Sequence, residues 1–142
     1  MVPDSCRITF RVRYAECDPM GYLHHAKYLE YLEMGRTEIL RAGGARYRDL
    51  EAQGVLFVVV KVACRYRKPA HYDDELTLDV VIERVTRARI DHAYKLYRGD
   101  VLLCEATSTI ACVNRQGRPM AIPQDMVPTP CRPGTVLEPV RK

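Results

Sequence analysis

The chain has 142 residues, of which 47% are hydrophobic and 28% charged, proportions that fit one globular domain with a single core. No apolar run approaches the ~18 residues that a membrane-spanning helix needs, so we expect no membrane span. The formal net charge of +4 fits ordinary solubility as well as an anionic partner. The first ten residues carry no apolar signal region, so we expect a cytoplasmic protein.

The first predicted strand spans residues 7–14, where apolar side chains, Tyr14 among them, alternate with polar ones. Residues 18–21, Asp-Pro-Met-Gly, follow and predict a turn. From about Ala26 the apolar residues recur at helical spacing, which predicts an amphipathic helix that ends at residues 43–44, a Gly pair. Gly35 falls on the apolar face of this helix, where it would let the sheet approach closely.

The second half of the chain is predicted to be mostly strand. A short helix is expected at 47–53 and strands at 55–67, 76–82, 90–96 and 101–113. The first strand opens with VLFVVV at residues 55–60, which are predicted to be fully buried, and continues with alternating apolar and polar residues. Strands joined by short turns after one long helix indicate an α+β domain, an antiparallel sheet with one helix on one face, over residues 1–125. The prolines that follow predict an extended or disordered tail at 126–142.

One helix covers only one face of such a sheet, and the strands carry apolar residues on both faces. We therefore expect a second copy of the chain to cover the remaining apolar surface. The six cysteines form no C-x-x-C pair and no zinc-binding spacing, and the four histidines follow no H-x-x-x-H pattern. We expect reduced thiols and no metal or other cofactor.

Asp18 is the strongest candidate for chemistry, because it lies between a strand and the start of a helix, where unpaired N–H groups point outward. It is either a nucleophile or general base, or a turn residue that bonds its own backbone. The side chains of His24 and His25 are expected to diverge, and either could bond a carbonyl or orient a water. The backbone N–H of His25 is a separate candidate for an oxyanion-hole donor. Cys17 is not expected to be a nucleophile, because neighbouring side chains usually point apart.

Basic residues cluster at predicted strand ends, at 65–68 and 84–89. They form either a solvated face or a clamp for phosphate groups. No glycine-rich phosphate loop is present, so a phosphate would be held by side chains. Aromatic residues do not interleave with the basic ones as a nucleic-acid stacking platform requires, so we expect no nucleic-acid partner.

A longer pattern joins these features: Tyr14-x-Glu16-x-Asp18-x-x-Gly21-x-x-x-His25-x-x-Tyr28-x-x-Tyr31-x-Glu33, continued by Arg36-Thr37-Glu38. It resembles the hotdog-fold acyl-CoA thioesterases, in particular the branch of the 4-hydroxybenzoyl-CoA and Tol-Pal-associated thioesterases. Supporting matches at 66–69, 73–76, near Arg87 and at 119–123 extend the resemblance to about residue 125.

The resemblance implies a five-stranded antiparallel sheet wrapped around one long helix. It also implies dimers, often paired into tetramers, with active sites at the subunit interface, and hydrolysis of an acyl-CoA thioester to a free acid and CoA without a metal. Two alternatives stay open, an acyl-carrier-protein thioesterase and a non-catalytic binding or scaffold module of the same fold.

The resemblance assigns roles by position. Asp18 would be the catalytic carboxylate, Gly21 would allow the tight turn, and His25 would polarise the substrate carbonyl through its backbone N–H or its side chain. The implied substrate-binding residues are Tyr28, as a pocket wall, and Arg87 and Arg89, which would hold the phosphates of CoA.

Overall fold

A computed structural model describes residues 3–127 of the chain. The elements are β1 (Ser5–Arg11), α1 (Lys27–Ala42), α2 (Tyr47–Ala52), β2 (Leu56–Tyr66), β3 (Glu75–Val85), β4 (Arg89–Arg98) and β5 (Val101–Val113), with 3-10 turns at Tyr14–Glu16 and Gln124–Met126. The five strands form one antiparallel sheet in the order β1-β3-β4-β5-β2. The predicted α+β architecture, one sheet with one long helix, is confirmed.

The long helix α1 lies on one face of the sheet, and its main contacts are with β1 and β3. Its buried residues are Tyr28, Tyr31, Leu32, Gly35 and Ile39. Gly35 carries no Cβ at the closest approach to the sheet, where one would collide with the side chain of Val80. The predicted close approach is therefore confirmed. Because α1 lies toward the β1 side, it covers less of the inner face of β4, β5 and β2.

The first strand is shorter than predicted. β1 ends at Arg11, and the chain then turns into the 3-10 segment Tyr14–Glu16. Tyr14 is 79% exposed, so the prediction that it shares the inward face is wrong. Tyr14 lies beyond the end of β1, as the first residue of the 3-10 turn, so the period of two no longer indicates which face it occupies.

The strand β2 corrects a second expectation. Residues 55–60 were predicted to form a fully buried strand, but β2 is an edge strand that pairs only with β5, and Val58, Val59 and Val60 are exposed. A register shift between Val59 and Lys61 bends it. An apolar run marks a strand that has to be covered, but it does not specify whether the same chain covers it.

The packed core reaches the start of the predicted tail, where Met126 is buried among the hydrophobic residues. The rest of that tail, residues 128–142, lies outside the described part of the chain. Within residues 3–127, no helix is both long and apolar enough to cross a membrane.

Candidate active site

The loop between β1 and α1 folds back on itself as a small hairpin. Cys17 and Leu23 form an antiparallel bridge, the N–H of Asp18 donates to the carbonyl of Tyr22 at 2.8 Å, and the N–H of His24 donates to the carbonyl of Glu16 at 2.9 Å. Backbone hydrogen bonds on both sides therefore fix residues 16–24, with Asp18 close to the tip.

The two carboxylate oxygens of Asp18 have different surroundings. Oδ1 accepts the backbone N–H groups of Met20 at 2.9 Å and Tyr22 at 3.1 Å. Among the described residues, none donates a hydrogen bond to Oδ2. Gly21 has a φ of 80°, which favours glycine, and its N–H donates to the carbonyl of Asp18 at 2.9 Å. Asp18 is thus a turn aspartate through one oxygen and keeps the other oxygen available for chemistry.

The two adjacent histidines do not diverge, and that prediction is wrong. The rings of His24 and His25 stack, with centroids 4.3 Å apart and planes inclined by 26°. Nδ1 of His24 accepts the N–H of Ala26 at 3.1 Å, which turns the His24 ring toward the start of α1. Neighbouring side chains point apart in a strand, but residues 25–26 form a turn, where this rule does not apply.

The peptide groups on either side of His25 are arranged differently. Its carbonyl accepts the hydroxyl of Tyr66 on β2 at 2.9 Å, while its N–H has no acceptor in the described part of the chain. His25 lies two residues before the first residue of α1. Its N–H is therefore an anchored and unpaired donor, as an oxyanion hole requires. The tyrosine that anchors it, Tyr66, was not predicted as a site residue, since its distance in sequence hides the contact.

Glu16 belongs to the motif of the sequence, but the motif gave it no role. Its side chain is buried, and it accepts the N–H of Arg13 at 2.8 Å and the hydroxyl of Tyr31 on α1 at 2.9 Å. Burial raises the pKa of Glu16, but these hydrogen bonds outweigh burial and hold the pKa below its ordinary value. Glu16 thereby ties the loop that carries Asp18 to the helix.

The other three predicted binding residues are divided between the two ends of the sheet. Tyr28 is buried beneath the His25 end, with its ring 4.8 Å from that of Tyr66. Arg87 and Arg89 are exposed at the β3–β4 turn. Arg89 lies in register with Val58 of β2 through β5, and Tyr66 is eight residues, or about 27 Å, further along β2. Within one protomer the structure does not bring these arginines to Asp18.

The surroundings of the loop do not support a cysteine nucleophile or a metal site. Burial, followed by the charges of Asp18 and Glu16, raises the pKa of the Cys17 thiol, so this thiol is not activated as a nucleophile. In residues 3–127, no three His, Cys, Asp or Glu side chains are grouped as metal ligands.

Comparison with known proteins agrees with this architecture. The profile of the thioesterase-like superfamily matches residues 12–129. The putative acyl-CoA thioesterase YneP of Bacillus subtilis is 38% identical over 106 residues, 74% of this chain and 77% of that protein. The acyl-CoA thioesterase YbgC of Haemophilus influenzae is 33% identical over 128 residues, 89% and 94% of the two chains. The crystal structure of a probable thioesterase from Bartonella henselae has a TM-score of 0.80 at 33% identity, covering 84% of this chain and 99% of that one. The chain therefore belongs to the thioesterase-like superfamily and has its hotdog fold.

Proposed function

We propose that this chain is an acyl-CoA thioesterase in which the carboxylate of Asp18 initiates attack on the thioester carbonyl. Membership of the superfamily and the similarity to two proteins named acyl-CoA thioesterases support the reaction class. The observation that carries the mechanism is the pairing, on one rigid loop, of an unpaired carboxylate oxygen with an unpaired backbone donor. The narrower 4-hydroxybenzoyl-CoA and Tol-Pal-associated branch stays a prediction.

The reaction needs few groups, because a thioester carbonyl is already activated toward attack. Oδ2 of Asp18 either attacks the carbonyl carbon or removes a proton from the water that attacks it. The N–H of His25 donates to the oxygen on which negative charge develops. The C–S bond then breaks, CoA leaves as a thiolate that takes up a proton, and water supplies the oxygen of the released acid.

We also propose that two copies pair along β2. An edge strand of 11 residues with exposed valines supports this pairing, since unpaired apolar edges are otherwise sites of aggregation. If the two β2 strands run antiparallel about a two-fold axis, the Leu56 end of one copy lies beside the Tyr66 end of the other.

This pairing would bring Arg87 and Arg89 of one copy toward the Asp18 loop of the other. The separation across three strand-to-strand steps is about 14 Å, shorter than the separation along β2 within one copy. We propose that these arginines bind the phosphates of CoA across the interface. Arg87→Ala with Arg89→Ala should then raise KM for an acyl-CoA but not for the same acyl group on N-acetylcysteamine, which lacks phosphates.

The test of the reaction is Asp18→Asn, assayed by thiol release from a panel of aliphatic and aromatic acyl-CoA esters. Asparagine keeps an Oδ1 that accepts the N–H groups of Met20 and Tyr22, but it loses the negative charge. We expect kcat to fall by about 10²–10⁴-fold with an unchanged melting temperature. The matched control is Asp49→Asn, an exposed aspartate on α2, which should leave kcat unaffected.

The outcomes separate the parts of the proposal. Near-normal kcat in Asp18→Asn would exclude the carboxylate mechanism. No thiol release from any ester by the unaltered protein would favour the non-catalytic binding module. A higher kcat/KM on esters of an acyl-carrier protein than on CoA esters would assign the carrier as substrate.

A further inference from the structure

A cavity lies between the C-terminal half of α1 and the inner face of the sheet, away from the Asp18 loop. Its volume is about 420 Å³, within the ~300–1,000 Å³ range of small-molecule sites. Much of its wall is apolar and includes Ile39, Leu40, Phe57, Ile82, Ile90 and Ile110. Arg36, also in the wall, is nine residues beyond the start of α1, or about 14 Å along the helix axis. No residue of the Asp18 loop lines this cavity.

One charged side chain in the cavity wall, that of Arg36, has N–H groups that are available for a ligand. Nη1 of Arg36 donates to the hydroxyl of Tyr94 at 3.1 Å, and that hydroxyl lies 2.5 Å from Oγ of Ser108. These contacts hold one edge of the half-buried guanidinium and leave its other N–H groups available. Among the described carboxylates, none forms an ion pair with Arg36, including that of Glu33, an exposed residue of the same lining.

His92, another residue of the cavity wall, has a buried ring nitrogen without a partner among the described residues. His92 is only 3% exposed, and its Nδ1 makes no hydrogen bond within the described chain. Its ring lines the cavity beside that of Tyr94, with centroids 6.0 Å apart. Burial, and then the charge of Arg36, lowers the pKa of His92 to about 3. The imidazole is therefore neutral, and it offers a hydrogen bond rather than a charge.

We propose that this cavity binds a carboxylate attached to an apolar chain, with Arg36 and His92 holding the carboxylate. A guanidinium fork matches the planar carboxylate, and the neutral imidazole can donate one N–H to it. The isoleucines and Phe57 match the chain. The site lies outside the Asp18 loop of its own copy and supplies no reacting group. In the proposed dimer, antiparallel pairing of β2 would place it toward the Asp18 loop of the second copy.

Two sources supply this chemistry. One is the free acid, the product of the proposed hydrolysis. The other is an acyl-CoA whose acyl chain ends in a second carboxylate. Both present the same group to Arg36, and kinetic measurements distinguish them.

The binding test is calorimetric titration of the full chain with octanoate and with octanamide, a neutral compound of nearly the same shape. We expect octanoate to bind at one site per chain about tenfold more tightly than octanamide, the effect of one charge-assisted contact. Arg36→Met should abolish this preference. The matched control is Arg41→Met, which removes an exposed guanidinium from the same helix outside the cavity and should preserve it.

His92→Phe keeps an aromatic ring and removes the N–H, so it should weaken octanoate binding and leave octanamide binding less affected. It serves as the second test if Arg36→Met, which also loses the contact with Tyr94, lowers the melting temperature. Equal affinities for octanoate and octanamide, or an unaltered preference in a folded Arg36→Met protein, would overturn the proposal.

Turnover assays then identify the source. If a dicarboxylic acyl group occupies the cavity, Arg36→Met lowers kcat/KM for octanedioyl-CoA but not for octanoyl-CoA. If the free acid occupies it, octanoate inhibits the unaltered protein and Arg36→Met relieves the inhibition. The titration itself involves no turnover and should give the same result in Asp18→Asn. A failure of the proposed hydrolysis would therefore leave the binding result intact, and the reverse also holds.

Discussion

The buried polar side chains near the two ends of α1 differ in whether they are hydrogen-bonded. Near the N-terminal end, Glu16 is 4% exposed and is hydrogen-bonded by Tyr31 and by the backbone of Arg13. Near the C-terminal end, His92 is as deeply buried, and its Nδ1 is unpaired within residues 3–127. The first arrangement fixes a loop in place. The second leaves a donor or acceptor that water cannot reach, which costs about 1–3 kcal/mol.

The difference assigns separate tasks to the two ends. The satisfied end holds the Asp18 loop in place, which suits the proposed reaction centre. The unsatisfied end places the ring of His92 in the wall of an apolar cavity, which suits the proposed binding site. The two ends are about 24 Å apart along the 16 residues of α1, and antiparallel pairing of β2 would place one end beside the opposite end of the second copy.

Of the changes made away from the Asp18 carboxylate, separating the two copies is expected to have the largest effect. Val60→Asp places a carboxylate on the exposed edge of β2, and in a two-fold dimer it places two of them near each other. We expect a monomer by light scattering and a loss of about 10²-fold in kcat/KM, because the site loses the groups that the second copy positions.

The matched control is Thr9→Asp on the opposite edge, because Thr9 is exposed and neighbouring residues of β1 already carry charges that pair with β3. This variant should remain dimeric and active. A dimeric Val60→Asp protein, or a fully active monomer, would contradict the proposed interface.

Periodicity predicted most of the fold. β5 was predicted at 101–113 and is found at Val101–Val113, and α1 ends before the glycine pair as expected. These elements are predictable because the spacing of apolar residues reports which side chains face the core. β2 was mispredicted as buried, because its position at the edge is set by pairing between residues far apart in sequence. Neither that pairing nor a second copy leaves a periodic signal.

The candidate site could be predicted from the sequence only where its residues are close together in the chain. The turn at 18–21 and its aspartate follow from residue types that favour turns. The stacking of the two histidines depends on backbone angles within a two-residue turn, which no spacing encodes. The contact between Tyr66 and His25 joins residues 41 apart. His92 was correctly placed on a strand, but its missing partner depends on where α1 crosses the sheet.

Near the N-terminal end of α1, the hydrogen bond from Tyr31 to Glu16 should contribute to stability. Tyr31→Phe removes the hydroxyl that donates to Glu16, and we expect a loss of about 1.5–3 kcal/mol in the free energy of unfolding, since the acceptor is a buried carboxylate. The folded-state pKa of Glu16 lies below 4.5, so its stabilisation is present above that pH and is lost as the pH falls through the folded-state pKa. In Tyr31→Phe this acid-dependent loss should be smaller.

Urea unfolding at a series of pH values measures both effects. The control is Tyr14→Phe, because Tyr14 is exposed and its hydroxyl makes no hydrogen bond to the described chain; it should change stability by less than about 0.5 kcal/mol. A Tyr31→Phe protein as stable as the unaltered one would show that Glu16 does not anchor the loop.

Near the C-terminal end of α1, removing the polar group of His92 should raise stability instead of lowering it. His92→Leu removes the unpaired Nδ1, and we expect a gain of about 1 kcal/mol in stability at pH 7, together with weaker octanoate binding. The ordinary pKa of 6.5 applies in the unfolded chain, whereas burial and then Arg36 lower the pKa to about 3 in the folded chain. The unfolded chain therefore binds a proton that the folded chain excludes, and stability falls by up to about 1.4 kcal/mol per pH unit below pH 6.5.

His92→Leu should flatten this slope between pH 6.5 and 5, above the range where Glu16 titrates. The control is His71→Gln, since His71 is exposed, and it should retain the slope. A destabilised His92→Leu protein with an unchanged slope would mean that the imidazole is satisfied in solution, which would also remove one of the two contacts proposed for the cavity.

The smallest predicted effect tests how the His25 peptide is held. Tyr66→Phe removes the hydroxyl that donates to the His25 carbonyl, and one such hydrogen bond contributes about 0.5–1.5 kcal/mol, or roughly 2- to 10-fold in rate. If the N–H of His25 acts only on the oxyanion, the loss should fall on kcat and leave KM unchanged. Tyr72→Phe, an exposed tyrosine on the same side of the molecule, should alter neither constant. A loss as large as that of Asp18→Asn would make the Tyr66 hydroxyl a reacting group instead of a support, and an unchanged kcat would mean that the rest of the hairpin positions the donor without it.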